Sequence, residues 1–247
     1  MDLSAFPSAG TTGPDAGVRL RPSSSFQIVE AGTVIENVEV TGQIDVGAND
    51  VTIRNVKINA TGLYGVRSLP GMTGLVIENV EIVGVTEKCS AGVAPNQYTA
   101  RRVEVSGCED GFKVGNNTTI EGSWVHSLRY SGGAHNDAIQ AVGGSNIQIL
   151  RNRLDGPWQA QTSAMILHSD LLPLEDVRIA ENLISGGTYS LYVKAKPGMP
   201  EPRDVVVEDN VWIRDSYKFG SHNQTGAGVT WRGNRFEDGT SYSYDTN

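Results

Sequence analysis

A short pattern recurs about nine times along this chain of 247 residues. Each copy reads apolar residue, two variable residues, a marker residue, one variable residue and a second apolar residue, as in Ile53-Arg-Asn-Val56-Lys-Ile58. The markers are Val38, Val56, Val80, Val103, Ser123, Asn152, Asn182, Asn210 and Asn234. They are separated by steps of 18, 24, 23, 20, 29, 30, 28 and 24 residues. A repeat of this length indicates a solenoid of stacked units with loops of variable length.

Each unit is predicted to consist of strands. The copies alternate apolar with polar residues and are too short for helices, and each is followed by Gly, Asn or Asp and then by a second apolar run, such as Phe112-Lys-Val114. Two or three strands in about two dozen residues, without helical periodicity, are typical of a parallel β-helix. We therefore predict an all-β fold, a single-stranded parallel β-helix (solenoid) of about nine coils.

The last four markers are asparagines, and this predicts a ladder inside the solenoid. An inward asparagine at a strand corner can bond the backbone of its own turn, and its amide can bond the asparagine of the next coil. Solenoids also need protected ends. We assign residues 1–25, which are rich in Pro, Gly and Ser, to an N-terminal cap, residues 26–236 to the β-helix, and residues 237–247 to a C-terminal tail.

The repeats resemble those of the right-handed parallel β-helix proteins of the pectate lyase-like superfamily, whose repeats read V-x-I-x-N-V-x-I. The resemblance covers about residues 26 to 236. The opening segment, with Phe6-Pro7 and Thr12-Gly-Pro-Asp-Ala-Gly17, also resembles that of secreted bacterial β-helix proteins. The resemblance implies a right-handed coil and a secreted, cell-surface or virion-associated protein. It does not determine one activity, because this fold carries lyases, hydrolases, epimerases and inert fibre modules.

Composition excludes several classes of partner. The net charge is -8 and the pI is near 5.0, whereas nucleic-acid binding needs a basic surface. No apolar run approaches the roughly 20 residues that span a membrane. The start, Met1-Asp-Leu-Ser, has neither a basic nor an apolar segment and therefore predicts no signal peptide. The expected partner is a polysaccharide.

Cys89 and Cys108 are about one coil apart, which is compatible either with a disulfide between stacked loops or with two small buried thiols.

Aligning the second strand of each coil predicts one polar face. Phe112, Ile139, Met165 and Leu191 form its inward stack, and the outward residues are Arg67, Lys113, Gln140, Ile166 and Tyr192, with His168, Lys194 and Lys196 further along the same face. The densest group of functional side chains is His135-Asn-Asp137-Ala-Ile-Gln140, at the edge of this face. A structural interpretation is equally open, in which Asp137 caps a turn and His135 braces it. Tyr130 and Trp158 lie in the longest insertions and are candidate platforms for sugars.

These residues predict a lyase that cleaves a uronic-acid polysaccharide by β-elimination. An imidazole is an efficient base near neutral pH, so His135 and His168 are candidate bases. Asp137, Lys113 and Lys194 complete the predicted catalytic set, with Lys113, Lys194 and Arg67 as carboxylate-binding cations and Tyr192 or Tyr130 as the acid. Gln140, Trp158 and Lys196 are assigned to substrate binding. Many lyases of this fold use Ca²⁺, so the resemblance implies a calcium site at Asp110 and Asp137, although two carboxylates are few ligands and no cofactor is required.

Two alternatives stay open. A glycoside hydrolase would use Asp110 and Asp137 as its paired carboxylates. A non-catalytic module, such as a phage tail or surface-fibre component, would bind glycans through the same basic and aromatic face. The three hypotheses differ in whether His135, Asp137, Lys113 and His168 converge on one point, since a catalytic site requires convergence and a binding surface does not.

Overall fold

The computed structural model describes residues 2–129, 133, 135–157, 161–224 and 228–243, and these form a parallel β-helix, as predicted. A single turn of 3₁₀ helix, Leu3–Ala5, precedes the strands. The longer strands of the first coils are β1 (Arg21–Ile28), β2 (Val34–Val46), β3 (Thr52–Ala60), β4 (Tyr64–Ser68) and β5 (Leu75–Gly84). They are followed by β6 (Ala91–Ala94), β7 (Tyr98–Arg101), β8 (Glu104–Ser106), β9 (Asp110–Val114), β10 (Thr118–Glu121), β11 (Trp124–Val125), β12 (Asn136–Ala141), β13 (Gly144–Leu150), β14 (Arg153–Leu154), β15 (Gln161–Ser169), β16 (Leu174–Ala180), β17 (Leu183–Ile184), β18 (Tyr189–Ala195), β19 (Arg203–Glu208), β20 (Val211–Trp212), β21 (Gly220–Gln224), β22 (Val229–Arg232) and β23 (Arg235–Phe236).

The strands form three parallel stacks, because each coil contributes one strand to each stack. Stack 1 contains the beginnings of β2, β3 and β5, then β7, β10, β13, β16, β19 and β22. Stack 2 contains the first half of β1, the following halves of β2, β3 and β5, then β8, β11, β14, β17, β20 and β23. Stack 3 contains the ends of β1 and β2, then β4, β6, β9, β12, β15, β18 and β21. Among the described residues stacks 1 and 3 each contain nine strand segments and stack 2 contains ten.

The repeat sequence determines the corner between stacks 1 and 2. The third residue of every copy has a left-handed backbone conformation, with φ between 50° and 65°. The residues at this corner are Asn37, Asn55, Asn79, Arg102, Gly122, Arg151, Glu181, Asp209 and Gly233. Asparagine and glycine tolerate this conformation best, and longer side chains adopt it at a cost. One such residue turns the chain sharply, so that the marker residue that follows it faces the interior.

The asparagine markers form the predicted ladder. The side-chain oxygen of Asn182 accepts hydrogen bonds from the backbone nitrogen and the side-chain amide of Asn152, at 2.8 and 3.0 Å. Asn210 receives the same pair of bonds from Asn182, and Asn234 receives it from Asn210. The remaining amide hydrogens reach backbone carbonyl oxygens, such as that of Ile149. Every one of these buried polar groups is therefore paired, and the ladder confirms the prediction.

The interior is a narrow column of stacked apolar residues. In stack 2 one column reads Val40, Ile58, Ile82, Val105, Val125, Leu154, Ile184, Trp212 and Phe236, all of them buried. The column ends in aromatic rings, and Tyr242 packs against both Trp212 and Phe236. An antiparallel bridge between Arg235 and Ser241 holds the tail across this end. The predicted C-terminal tail thus covers the last coil with Tyr242.

The N-terminal segment lies along the side of the solenoid. The backbone nitrogen of Gly13 donates to the carbonyl oxygen of Arg102, and Asp15 is bonded to both Asn55 and Asn79. β1 pairs with β2 from Arg21 onward, ahead of residue 26, where the sequence placed the start of the solenoid.

No helix among the described residues is long and apolar enough to cross a membrane. Cys89 and Cys108 form a disulfide, which selects one of the two interpretations of their spacing.

Candidate functional site

Stack 3 carries the predicted polar face. Lys113, Gln140, Ile166 and Tyr192 are register partners on β9, β12, β15 and β18, and Asn223 on β21 continues the row. The inward stack of Phe112, Ile139, Met165 and Leu191 is also confirmed, and all four residues are buried. Arg67 lies in the same row but is separated from β9 by Ala94, its partner on β6. The repeat therefore predicted the register of this face correctly.

The alternation of inward and outward residues breaks at the start of β9. A Cβ atom on Gly111 would lie 2.8 Å from Cγ1 of the core residue Val125, and the next residue, Phe112, is also fully buried. Two consecutive residues therefore face the interior, and β12 repeats this arrangement with Ala138 and Ile139, both buried. As a result Asp110 falls on the same side as Lys113, whose Nζ lies 3.2 Å from Asp110 Oδ2.

Asp110 and Asp137 meet in a buried cluster on this side. The backbone nitrogen of Asp137 donates to Asp110 Oδ1 at 3.0 Å, and Ser163 Oγ donates to Asp137 Oδ1 at 2.5 Å. Asp137 is fully buried and Asp110 is 2% exposed. Burial raises the pKa of Asp110 to about 6, and Lys113 opposes this shift. Burial also raises the pKa of Asp137 well above its ordinary value, and the neighbouring Asp110 charge adds to this effect. Both carboxyl groups are thus harder to ionise than exposed aspartates.

This donor set does not fit the calcium site that the resemblance implies. Ca²⁺ takes six to eight oxygen ligands. Three of the four carboxylate oxygens already accept hydrogen bonds or pair with Lys113, which leaves Asp137 Oδ2 as the one without a hydrogen-bond partner. The positive charge of Lys113 beside Asp110 would also repel a Ca²⁺ ion. No group of three or more His, Cys, Asp or Glu side chains arranged to hold a metal is found in the described part of the chain.

His135 lies at the flank of this cluster. Its side chain is exposed, its Nδ1 is 3.4 Å from Thr162 Oγ1, and its backbone nitrogen is 3.5 Å from Glu109 Oε1. The neighbouring Asn136 is buried, and its amide donates to the carbonyl oxygens of Glu109 and Arg129. Asn136 thus ties the backbone next to His135 to Glu109 and Arg129. Tyr130 and Trp158 lie outside the described residues.

A second cluster on stack 3 contains His168, Tyr192 and Lys194. His168 and Lys194 are register partners on β15 and β18, and Lys194 Nζ lies 5.3 Å from the centre of the Tyr192 ring. The His168 and Tyr192 rings meet edge to face with centroids 6.2 Å apart. The Tyr192 hydroxyl is 2.7 Å from Thr188 Oγ1. An imidazole, a phenol and an ammonium group therefore share one outward patch of two adjacent coils.

The environment of His168 keeps its imidazole neutral. Burial lowers the pKa of His168, the Lys194 ammonium lowers it further, and Asp170 opposes both effects. His168 Nε2 is buried and has no hydrogen-bond partner. Asp170 is 2.9 Å from Lys196 Nζ, so Lys196 serves as its partner at the end of the row. An unprotonated imidazole of this kind is suited to accept a proton.

The predicted catalytic residues therefore fall into two groups. Asp137 and Lys113 belong to the buried cluster, with His135 at its flank, and His168 and Lys194 belong to the second cluster. Lys113 is two coils from His168, which at the spacing of β-strands is about 10 Å along the solenoid axis. The sequence did not identify Ser163 or Thr188. Ser163 is the register partner of Asp137 on β15, so extending the alignment of the strands could have identified it. Nothing in the sequence links Thr188 to Tyr192.

No model of a known protein family and no curated protein matches this chain. The parallel β-helix fold is compatible with carbohydrate-active proteins. The chemistry of the site is therefore inferred from the described side chains.

Proposed function

We propose that this protein is a polysaccharide lyase that cleaves a uronic-acid polymer by β-elimination, with its chemical centre at His168, Tyr192 and Lys194. The observation that carries the proposal is the grouping of these three side chains on one outward patch. β-Elimination needs a base for the proton at C5, a cation to neutralise the carboxylate, and an acid for the leaving oxygen. One residue of the patch suits each role.

The roles follow from the chemistry of each group. Lys194 binds the uronate carboxylate and so stabilises the negative charge that develops when C5 loses its proton. His168 takes that proton, since burial and Lys194 keep its imidazole unprotonated. Tyr192 donates a proton to the glycosidic oxygen as the C4–O bond breaks. The products are a C4=C5 unsaturated sugar at one new end and a reducing sugar at the other.

The buried carboxyl pair is less suited to the hydrolase alternative. The Asp110 side chain is 3% exposed and Asp137 is fully buried. Neither carboxyl group can therefore touch a sugar unless the side chains around it move. Lys113 is 28% exposed and lies on the same face. We therefore assign Lys113, Gln140 and Arg67 to binding the polymer along the solenoid, and we assign Asp110 and Asp137 to holding Lys113.

An assay on uronic-acid polymers tests the proposal. The protein is incubated with alginate, polygalacturonate and glucuronate-containing glycans, and the unsaturated product is followed by its ultraviolet absorbance beside an assay for reducing ends. We expect His168→Ala and Lys194→Met to lower the rate at least a hundredfold, within the range of general-base effects. His126→Gln is the matched control, because His126 pairs with Glu104 away from stack 3.

Each alternative hypothesis has its own outcome. New reducing ends without ultraviolet absorbance would identify a hydrolase. Binding to a polymer with no product would identify a glycan-binding module. Full activity of both His168→Ala and Lys194→Met would show that the chemical centre lies elsewhere.

A further inference from the structure

A cavity of about 470 Å³ lies beside the His168–Tyr192–Lys194 cluster. Its lining includes Thr188, Asp215, Tyr217 and Lys218. Thr188 connects the cluster to the cavity wall. Its hydroxyl is hydrogen-bonded to the Tyr192 hydroxyl, and its backbone oxygen accepts a hydrogen bond from the backbone nitrogen of Phe219. The cavity spans the coils of β15, β18 and β21, because Gln161 also lines it, and only its Asp215–Lys218 wall lies one coil beyond Tyr192.

A line of aromatic rings leads from the cluster to the cavity. The Tyr192 and Tyr189 rings are 5.3 Å apart, and the Tyr189 and Phe219 rings are 5.9 Å apart. Phe219 is 64% exposed, so most of its ring faces solvent. The apolar faces of sugar rings pack on such aromatic surfaces. A row of rings therefore suits consecutive sugar units.

Each end of this line carries a lysine beside an aromatic ring. Lys194 Nζ lies 5.3 Å above the Tyr192 ring, and Lys218 Nζ lies 5.0 Å above the Phe219 ring. Within the described ranges neither lysine has an ion pair, whereas Lys113 and Lys196 each contact an aspartate. An ammonium group beside an exposed ring can bind a carboxylate while the ring contacts the sugar. The pair at residues 218 and 219 therefore repeats the binding elements proposed for Lys194 and Tyr192.

The loop that carries Lys218 is held in place before any ligand binds. The backbone nitrogen of Lys218 donates to the carbonyl oxygen of Gly187 at 3.0 Å. Ser216 Oγ donates to the carbonyl oxygen of Ile213 and accepts from the backbone nitrogen of Gly186. Pre-organised sites lose less entropy on binding than mobile ones.

We infer that Lys218, Phe219 and Tyr189 form a second sugar subsite, which takes an acidic sugar unit one position along the chain from the unit at Lys194. Lys218 binds the carboxylate, Phe219 and Tyr189 contact the ring, and Asp215 at the cavity edge accepts bonds from sugar hydroxyls. The inference extends the proposed function, because it assumes that an acidic polysaccharide lies along stack 3.

Binding of short and long oligosaccharides tests this subsite. Calorimetry with di- and hexasaccharides of alginate and of polygalacturonate is done in the His168→Ala background, which limits turnover. We expect Lys218→Met and Phe219→Ala to raise the Kd of the hexasaccharide about tenfold and to leave the disaccharide unchanged. Lys88→Met, at an exposed lysine on a distant coil, is the matched control. Unchanged melting temperatures of the variants confirm folding.

The outcomes separate this inference from the proposed function. Equal hexasaccharide affinity in all variants would overturn the subsite even if the wild-type protein cleaves the polymer. Weakened hexasaccharide binding by these variants, together with no unsaturated product from the wild-type protein, would support the subsite and overturn the lyase. If the His168→Ala protein binds neither set of oligosaccharides, the subsite is wrong as stated.

Discussion

Asn210 Oδ1 accepts two hydrogen bonds from Asn182, one from its backbone nitrogen and one from its side-chain amide, both at 2.9 Å. Each interior asparagine thus acts as acceptor for the coil before it and as donor to the coil after it. We expect Asn182→Ala to lower the free energy of unfolding by about 4 kcal/mol, because it removes the acceptor of the buried Asn152 backbone nitrogen, one of the two acceptors of the Asn152 side-chain amide, and a donor to the Ile149 carbonyl oxygen. Urea denaturation measures this change.

The exposed Asn146 provides a control for the ladder. Its φ is 57°, which glycine adopts freely, so Asn146→Gly should change the free energy of unfolding by less than about 0.5 kcal/mol. An equally small effect of Asn182→Ala would show that the ladder does not stabilise the interior.

The raised pKa of Asp110 predicts that stability depends on pH. An unfolded aspartate titrates near 3.8, whereas Asp110 in the folded protein titrates at about 6. Between these values the folded state binds more protons, so the Asp110 contribution to the free energy of unfolding falls as pH rises. The cost of burying the charge is absent below pH 3.8 and fully present above pH 6, and it amounts to about 3 kcal/mol.

Asp110→Asn isolates this contribution. The asparagine can still accept the hydrogen bond from the backbone nitrogen of Asp137, but it does not titrate. Carboxyl groups whose pKa is lowered, such as Glu104 and Glu208, contribute an opposite slope to both proteins and cancel in the difference. We expect the stability of the wild type relative to the variant to fall between pH 4 and pH 7. A constant difference over this range would contradict the prediction.

Glu181 occupies the left-handed corner position with φ of 59°. We expect Glu181→Gly to raise the free energy of unfolding by about 0.5 to 1 kcal/mol, because glycine removes the conformational strain and the exposed ion pair with Arg151 contributes little. Thermal unfolding measures the effect. Glu175→Gly, within β16, is the control and should destabilise the protein, since glycine weakens a strand. Destabilisation by both substitutions would show that the corner is not strained.

The disulfide between Cys89 and Cys108 closes a segment with a sequence separation of 19 residues. Closing a loop of this length restricts the unfolded chain by about 3 kcal/mol. We therefore expect a double Cys89→Ser and Cys108→Ser variant to lose about this much stability, and we expect reductant to lower the stability of the wild type but not of the variant. Equal unfolding curves for the wild type with and without reductant would contradict this.

The sequence by itself determined the fold and the register of stack 3. The period of the markers and the alternation around them identify the coils, and outward residues in equivalent positions of successive coils become neighbours. Lys113, Gln140 and Tyr192 could therefore be placed in one row without coordinates. The asparagine ladder was predictable for the same reason, since Asn152, Asn182 and Asn210 occupy one position of the repeat.

Only the tertiary structure decided burial and clustering. The inward turn of both Gly111 and Phe112 moves Asp110 beside Lys113, and strict alternation along one strand does not show this. Asp137 becomes buried because Ser163 and Asp110 cover it from adjacent coils. The repeat specifies which residues share a row, but depth and electrostatic environment depend on loop paths and on side chains from other coils.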